Sequence, residues 1–251
     1  MNNTVWRLLV FSLGLPLLVA SIFVLPEQNH PFFLCIVVAA SALSALELRE
    51  FFDPAVMRYR GSTAVVLILG ALPPAVASAI ILFELSLFFL LALYALILAV
   101  TLTSGVFRKE PESFSTIIAT VSAHLFVAFY PGLMTSHVVF MTDLPMSSLV
   151  LVLYLLSVYL NDSNAYATGM LFGKRSRPLL SISPNKTRIG FAGGFFASMV
   201  VAVGMALIVP ELLSGPLWKA LLFGVIIGTA TIAGDLAESA LKRSAEIKDS
   251  G

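Results

Sequence analysis

The sequence predicts an all-α, polytopic membrane protein with about eight transmembrane helices and a polar site at the cytoplasmic surface. Three observations predict it. The 251 residues are 59% hydrophobic and only 12% charged, about half the charged share of a soluble domain. Apolar runs of about 20 residues, enough to span a bilayer, recur along the chain. The cations gather in alternate connections between those runs. This composition excludes a soluble enzyme, and a formal net charge of +1 carries no sign of a nucleic-acid partner.

The first run covers about 5–25. With Arg7 ahead of its uncharged part, Leu8 to Leu25, it resembles a signal peptide, but that part is long enough to span and more spans follow, so it reads as a retained first helix. The second, about 31–48, contains the single cysteine. Cys35 excludes a disulfide framework and reads as a small buried hydrophobe. The third, about 62–83, carries Pro73-Pro74, which should kink or break it. The fourth, about 85–104, follows Glu84 so closely that the two form a tight hairpin. The fifth, about 114–130, holds His124. An intramembrane histidine is either functional or a hydrogen-bonded packing residue, and its ordinary apolar neighbours favour packing. The sixth, about 145–160, delivers Asp162 at its end. The seventh, about 189–209, opens with Gly190, Gly193 and Gly194, which suit close helix packing. The eighth, about 216–233, leads into a polar tail from Asp235. Residues 1–144 thus form a region of five spans, and 145–251 a second region with the polar motifs.

Cations set the orientation. Arg7; Arg49, Arg58 and Arg60; Arg108 and Lys109; Lys174, Arg175, Arg177, Lys186 and Arg188; and Lys242, Arg243 and Lys248 all fall in the leader, the even-numbered connections or the tail. Only Lys219 falls elsewhere. Both termini are therefore expected in the cytoplasm, and a bacterial inner membrane is the expected location.

The long polar stretch 161–188 stands out. It offers a carboxylate, Asp162, at a membrane boundary. Gly169 and Gly173 would let backbone approach a ligand, and Lys174, Arg175, Arg177 and the Ser183-Pro184-Asn185-Lys186-Thr187 cluster supply phosphate contacts. This is the equipment of nucleotide chemistry, although a solvated cationic loop has the same composition. In the tail, Asp235 and Glu238 share a helix face, and Lys242 follows on the next turn. They form either the second half of a Mg²⁺ site or a simple Glu238–Lys242 ion pair.

Together the two stretches resemble the phosphatidate cytidylyltransferase (CDP-diacylglycerol synthase) family. The tail reads Gly234-Asp235-Leu236, then Glu238-Ser239, Leu241-Lys242-Arg243 and Lys248-Asp249-Ser250-Gly251. Upstream, Asp162-Ser163-Asn164-Ala165-Tyr166, Leu171-Phe172-Gly173-Lys174 and Ser183-Pro184-Asn185-Lys186-Thr187 match the family's Asp-Ser-Gly-Ala-Tyr, Phe-Gly-Lys and Ser-Pro-x-Lys-Thr elements. The likeness is detailed from about residue 150. Asn164 replaces a glycine, and Arg188-Ile189 replaces Trp-Glu. The family pattern also runs on past Gly251, into a His-Gly-Gly segment, an Asp-Arg pair and a last helix.

The resemblance implies transfer of a cytidylyl group from CTP to phosphatidic acid, in membrane lipid, with Mg²⁺ as cofactor and a homodimer as the assembly. Asp162 and Asp235 are the expected metal ligands, with Glu238 in support. Lys186 and Lys242 join the two aspartates as catalytic groups. Ser163, Ser183, Pro184, Asn185, Thr187, Arg243, Lys248 and Asp249 are expected around the substrates. A CTP-dependent polyprenol or phytol kinase is the alternative enzyme. A shortened, inactive scaffold is another alternative, and a transporter fits less well because few polar residues lie deep in the spans. A reporter active only in the cytoplasm should work when fused within 49–62 or 174–188 and stay silent within 26–30 or 210–215; the opposite pattern would invert the orientation.

Overall fold

A computed structural model describes residues 13–52, 63–107, 111–173, 183 and 186–246, with only the backbone of 111–113. All regular elements among them are helices. They are α1 (Leu15–Phe23), α2 (Pro31–Arg49), α3 (Thr63–Leu82), α4 (Phe88–Val106), α5 (Ile117–Val127), α6 (Met134–Phe140), α7 (Ser147–Phe172), α8 (Arg188–Ile208) and α9 (Leu217–Ser244), with short 3₁₀ and π turns between some of them. Seven helical stretches among the described residues are long and apolar enough to cross a membrane. The chain is a multi-pass, all-α membrane protein. The first expected span, about 5–25, is described only from Leu13 onward.

The chain forms two compact units, which divide after Ser148. In the first unit α2 packs closely on α3. A Cβ on Gly70 would come within 2.8 Å of the Ser41 carbonyl, so the two backbones nearly touch. Of the two expected outcomes, a kink or a break, Pro73 and Pro74 do not produce the break; the helix runs through both. The reason lies in the neighbouring helix. Pro74 has no N–H for the carbonyl of Gly70 four residues earlier, and the Ser41 hydroxyl donates to that carbonyl instead, at 2.6 Å. A bilayer tolerates proline when a neighbour satisfies the freed group in this way.

The fifth span also runs longer than the hydropathy indicated. It covers Phe114–Asp143 and passes Pro131 by a π turn, Ala128–Leu133. Gly132 lies against the Pro73 ring here, where a Cβ would approach Cγ within 2.6 Å. His124 is buried on α5, between the core residues Ala123 and Val127. Cys35 is exposed, not buried. The outer face of a membrane helix meets lipid, so an apolar thiol gains nothing by turning inward. His30 is fully buried. Its Nδ1 donates to the Ile22 carbonyl at 2.6 Å, and its Nε2 accepts the Ser147 hydroxyl at 2.7 Å. It thereby ties the turn before α2 to the first residue of α7.

The Ser41–Gly70 bond gives a test by double-variant cycle. Ser41→Ala should lower stability by about 1–2 kcal/mol, because it strands a buried carbonyl. In a Pro74→Ala background the same change should cost little, since alanine returns the missing N–H. Thermal unfolding in detergent of the four proteins measures the coupling.

Candidate active site

The second unit is built on α7, α8 and α9. Hydropathy placed the end of the sixth span near Leu160, yet α7 continues to Phe172 and carries Asp162 and Ser163 on helix instead of loop. The polar side chains there serve the helix. Asn164 Nδ2 donates to the Leu160 carbonyl at 2.8 Å, and the Thr168 hydroxyl donates to the Asn164 carbonyl at 2.6 Å. Likewise α9 continues past Ala233 to Ser244, and so presents Asp235, Glu238 and Lys242 on helix.

Close packing fixes α8 against α7. A Cβ on Gly190 would come within 2.7 Å of the Ala165 carbonyl, and one on Gly194 equally near the Asn161 carbonyl. A Cβ on Gly193 would collide with Thr168. The three glycines do what their position promised. Gly169 and Gly173 face Thr187, so Gly173 serves helix packing more than approach to a ligand. A buried polar link reinforces the crossing: Asn161 Nδ2 donates to Ser198 Oγ at 2.9 Å, and Ser198 donates to the Ser157 carbonyl at 3.3 Å. Asn161 faces inward, and this sets the direction in which its neighbour Asp162 points.

Asp162 and Asp235 come together although 73 positions separate them in sequence. Both line a cavity of about 420 Å³, with Ala165, Tyr166, Gly169, Met170, Lys186, Thr187, Gly190, Phe191 as the other walls. Lys186 Nζ pairs with the Asp235 carboxylate and lies 3.5 Å from Ser239 Oγ. Thr187 caps α8, accepting the Gly190 N–H at 3.1 Å. The amino end of α8 therefore opens on the cavity, where its dipole favours an anion. Asp162 stands in a mixed field: Asp235 and Glu238 repel it and Lys186 attracts it.

The same two aspartates also line a second cavity, of about 320 Å³, with Tyr154, Val158, Ile227, Ala230, Thr231, Gly234 and Glu238. Glu238 pairs with Lys242 one turn on, the simpler of the two expectations for that pair. Neither Lys242 nor Arg243 lines either of these two cavities, and Ser163 is exposed and lines neither. Ser183 is half-buried, and its carbonyl accepts the Lys186 N–H at 3.1 Å. Pro184, Asn185, Lys248 and Asp249 lie outside the described residues, as do Lys174, Arg175 and Arg177.

The sequence reading missed the walls formed by Tyr154, Val158, Met170, Phe191, Ile227 and Thr231. A signal for most of them exists. Tyr154, Val158, Asp162, Tyr166 and Met170 recur every four residues, as do Ile227, Thr231 and Asp235, and that spacing lies along one helix face. Counting in fours from each aspartate finds the cavity linings. Thr187 also carries an N-cap signal, which its likeness to a phosphate ligand obscured.

Among the described residues no three His, Cys, Asp or Glu side chains are grouped to cage a metal. Two carboxylates facing one cavity nevertheless fit Mg²⁺, which takes one or two protein carboxylates and completes its shell with water and substrate phosphates. Lys186 sets one cation, its ammonium, against Asp235.

The chain is similar to known proteins. The model of the cytidylyltransferase family matches residues 5–251. The phosphatidate cytidylyltransferase of Bacillus subtilis is 33% identical over 165 residues, covering 64% of this chain and 57% of the relative. That of Staphylococcus saprophyticus is 41% identical over 97 residues, 38% of this chain and 36% of the relative. The uncharacterized protein YnbB of Escherichia coli is 35% identical over 178 residues, 67% of this chain and 55% of the relative. The chain thus spans between about a third and somewhat over half the length of these relatives. With the family match running along nearly all of it, the chain belongs to the cytidylyltransferase family.

Proposed function

We propose that the chain transfers the cytidylyl group of CTP to phosphatidic acid, forming CDP-diacylglycerol and pyrophosphate for phospholipid synthesis. The observation that carries this reading is the meeting of Asp162 and Asp235 with Lys186 and the amino end of α8 around one cavity. A phosphate oxygen of phosphatidic acid attacks the α-phosphorus of CTP. The new P–O bond forms as the bond from the α-phosphorus to the bridging oxygen breaks, and pyrophosphate leaves with that electron pair. Catalysis of this type is mostly positioning and neutralisation of charge.

Each residue has a share in this. The triphosphate lies at the amino end of α8, which is held open by the Thr187 cap. Lys186 neutralises phosphate charge and, through Asp235, ties the start of α8 to α9. Asp162 and Asp235 would hold Mg²⁺, with Glu238 in reach through the second cavity. Bound there, the ion supplies Lewis acidity and charge neutralisation. Lys242 acts through Glu238. The names of the relatives support the substrates, and the cation pattern supports a cytoplasmic site in a bacterial inner membrane.

The test is CTP-dependent turnover with phosphatidic acid in detergent. Asp162→Asn and Asp235→Asn should each lower kcat about a hundredfold or more, the scale on which losing a charge-stabilising group costs an enzyme. Lys242→Met should cost about tenfold, as a supporting group does. Wild-type turnover in both aspartate variants would remove the metal assignment. Release of CDP instead of pyrophosphate would turn the reading to a CTP-dependent lipid kinase.

A further inference from the structure

Asp162 has Asp235 and Glu238 as repelling neighbours, and two ammonium groups answer these three carboxylates. Lys242 pairs with Glu238, one turn away on the same helix. Lys186 pairs with Asp235. Asp162 joins no ion pair among the described residues. The Lys186 pair differs in kind from the other. It crosses from the residue before the α8 cap to α9, 49 positions away. Its ammonium sits over one turn of α9, on the Asp235 carboxylate, with the Asp235 carbonyl and Ser239 Oγ each at 3.5 Å. The base of the side chain is fixed, because the Lys186 N–H donates to the Ser183 carbonyl at 3.1 Å and Thr187 caps α8. The four-carbon stem beyond it turns freely about its single bonds. The side chains of Lys186 and Asp235 are 28% and 43% exposed, and an ion pair so open to water is held weakly. Such a contact joins α8 to α9 lightly and can exchange.

We propose that Lys186 is a built-in competitor for the divalent ion: ion and ammonium contend for Asp235, and the displaced ammonium turns to phosphate oxygens at the amino end of α8. The proposal rests on the reading of Asp162 and Asp235 as Mg²⁺ ligands. Coordination geometry supplies the competition. Mg²⁺ holds its oxygens at about 2.1 Å in a near-ideal octahedron, and an ammonium on the same carboxylate repels it and blocks its approach. Charge supplies the direction of the exchange. Three carboxylates and two ammonium groups leave the cluster one negative charge in excess, and a divalent ion turns this to one positive. Lys242 stays with its helix neighbour Glu238, so the cation free to leave is Lys186. The capped amino end of α8 lies at the foot of its side chain. A nucleoside triphosphate takes both the ion and the released ammonium. Metal and nucleotide then bind cooperatively, and the coupling is reciprocal, because each removes a cost that the other meets alone.

The experiment measures Mn²⁺ binding to the full chain in detergent, without nucleotide, by loss of the free ion's paramagnetic resonance signal. Lys186→Met should bind Mn²⁺ at least about fivefold more tightly than wild type, the lower end of a typical coupling. Lys186→Arg keeps the competing charge and should bind no more tightly than wild type. The wild-type chain reports the same exchange directly. Mg²⁺ should speed acetylation of Lys186 by acetic anhydride, read by mass spectrometry, and leave that of Lys219 unchanged. A lysine that only orients Asp235 for the metal gives the opposite sign. Mn²⁺ affinity in Lys186→Met equal to or weaker than wild type, or acetylation of Lys186 indifferent to Mg²⁺, would overturn the proposal. Failure of the underlying metal reading looks different: Asp162→Asn and Asp235→Asn would bind Mn²⁺ as wild type does, and the proposal would fall with it.

Discussion

The organising constraint is that polar groups in a bilayer interior find no water and must be matched by other parts of the protein. The structure meets it with single, well-placed partners. Ser41 serves the carbonyl that Pro74 leaves free. His30 uses both ring nitrogens. Asn161 and Ser198 serve each other across the α7–α8 crossing. The ion pair of Lys186 with Asp235 applies the same rule to charge, and it lies where the chain needs its helix ends drawn together. At Asn161 such a local repair sits next to a functional side chain, Asp162.

Much of the fold is legible in the sequence because the bilayer imposes a length on every span. Apolar runs locate α2, α3, α4, α8 and most of α7 and α9. Helix ends are less legible. Hydropathy stops at Leu160 and Ala233, but a helix stops where its backbone bonding stops, and α7 runs on through Asn164 and Thr168, whose side chains bond the preceding turn instead of leaving the helix. Pro131 misleads for a related reason: a π turn carries the chain past it. Cys35 misleads because burial in protein and burial in lipid look alike in composition.

The aspartates and Lys186 were legible as a group because charge is rare in this chain and its few instances carry information. The Glu238–Lys242 pair was legible as one of two expectations, and sequence spacing alone could not choose between them. The division of the site into two cavities was not legible. It depends on the four-residue rows of α7 and α9 lining one cavity, which is a tertiary fact.

The π turn at Ala128–Leu133 has a consequence of its own. Such a turn accommodates one residue more than the α-helical path requires. Everything beyond it, including α6, is rotated relative to the face α5 would have continued. Here a helix of the first unit can lose one residue and relax to ordinary winding. A deletion elsewhere in the same stretch would turn all later side chains to a new face. The turn is therefore a register reserve, and chain length can vary there while both ends of the span keep their neighbours.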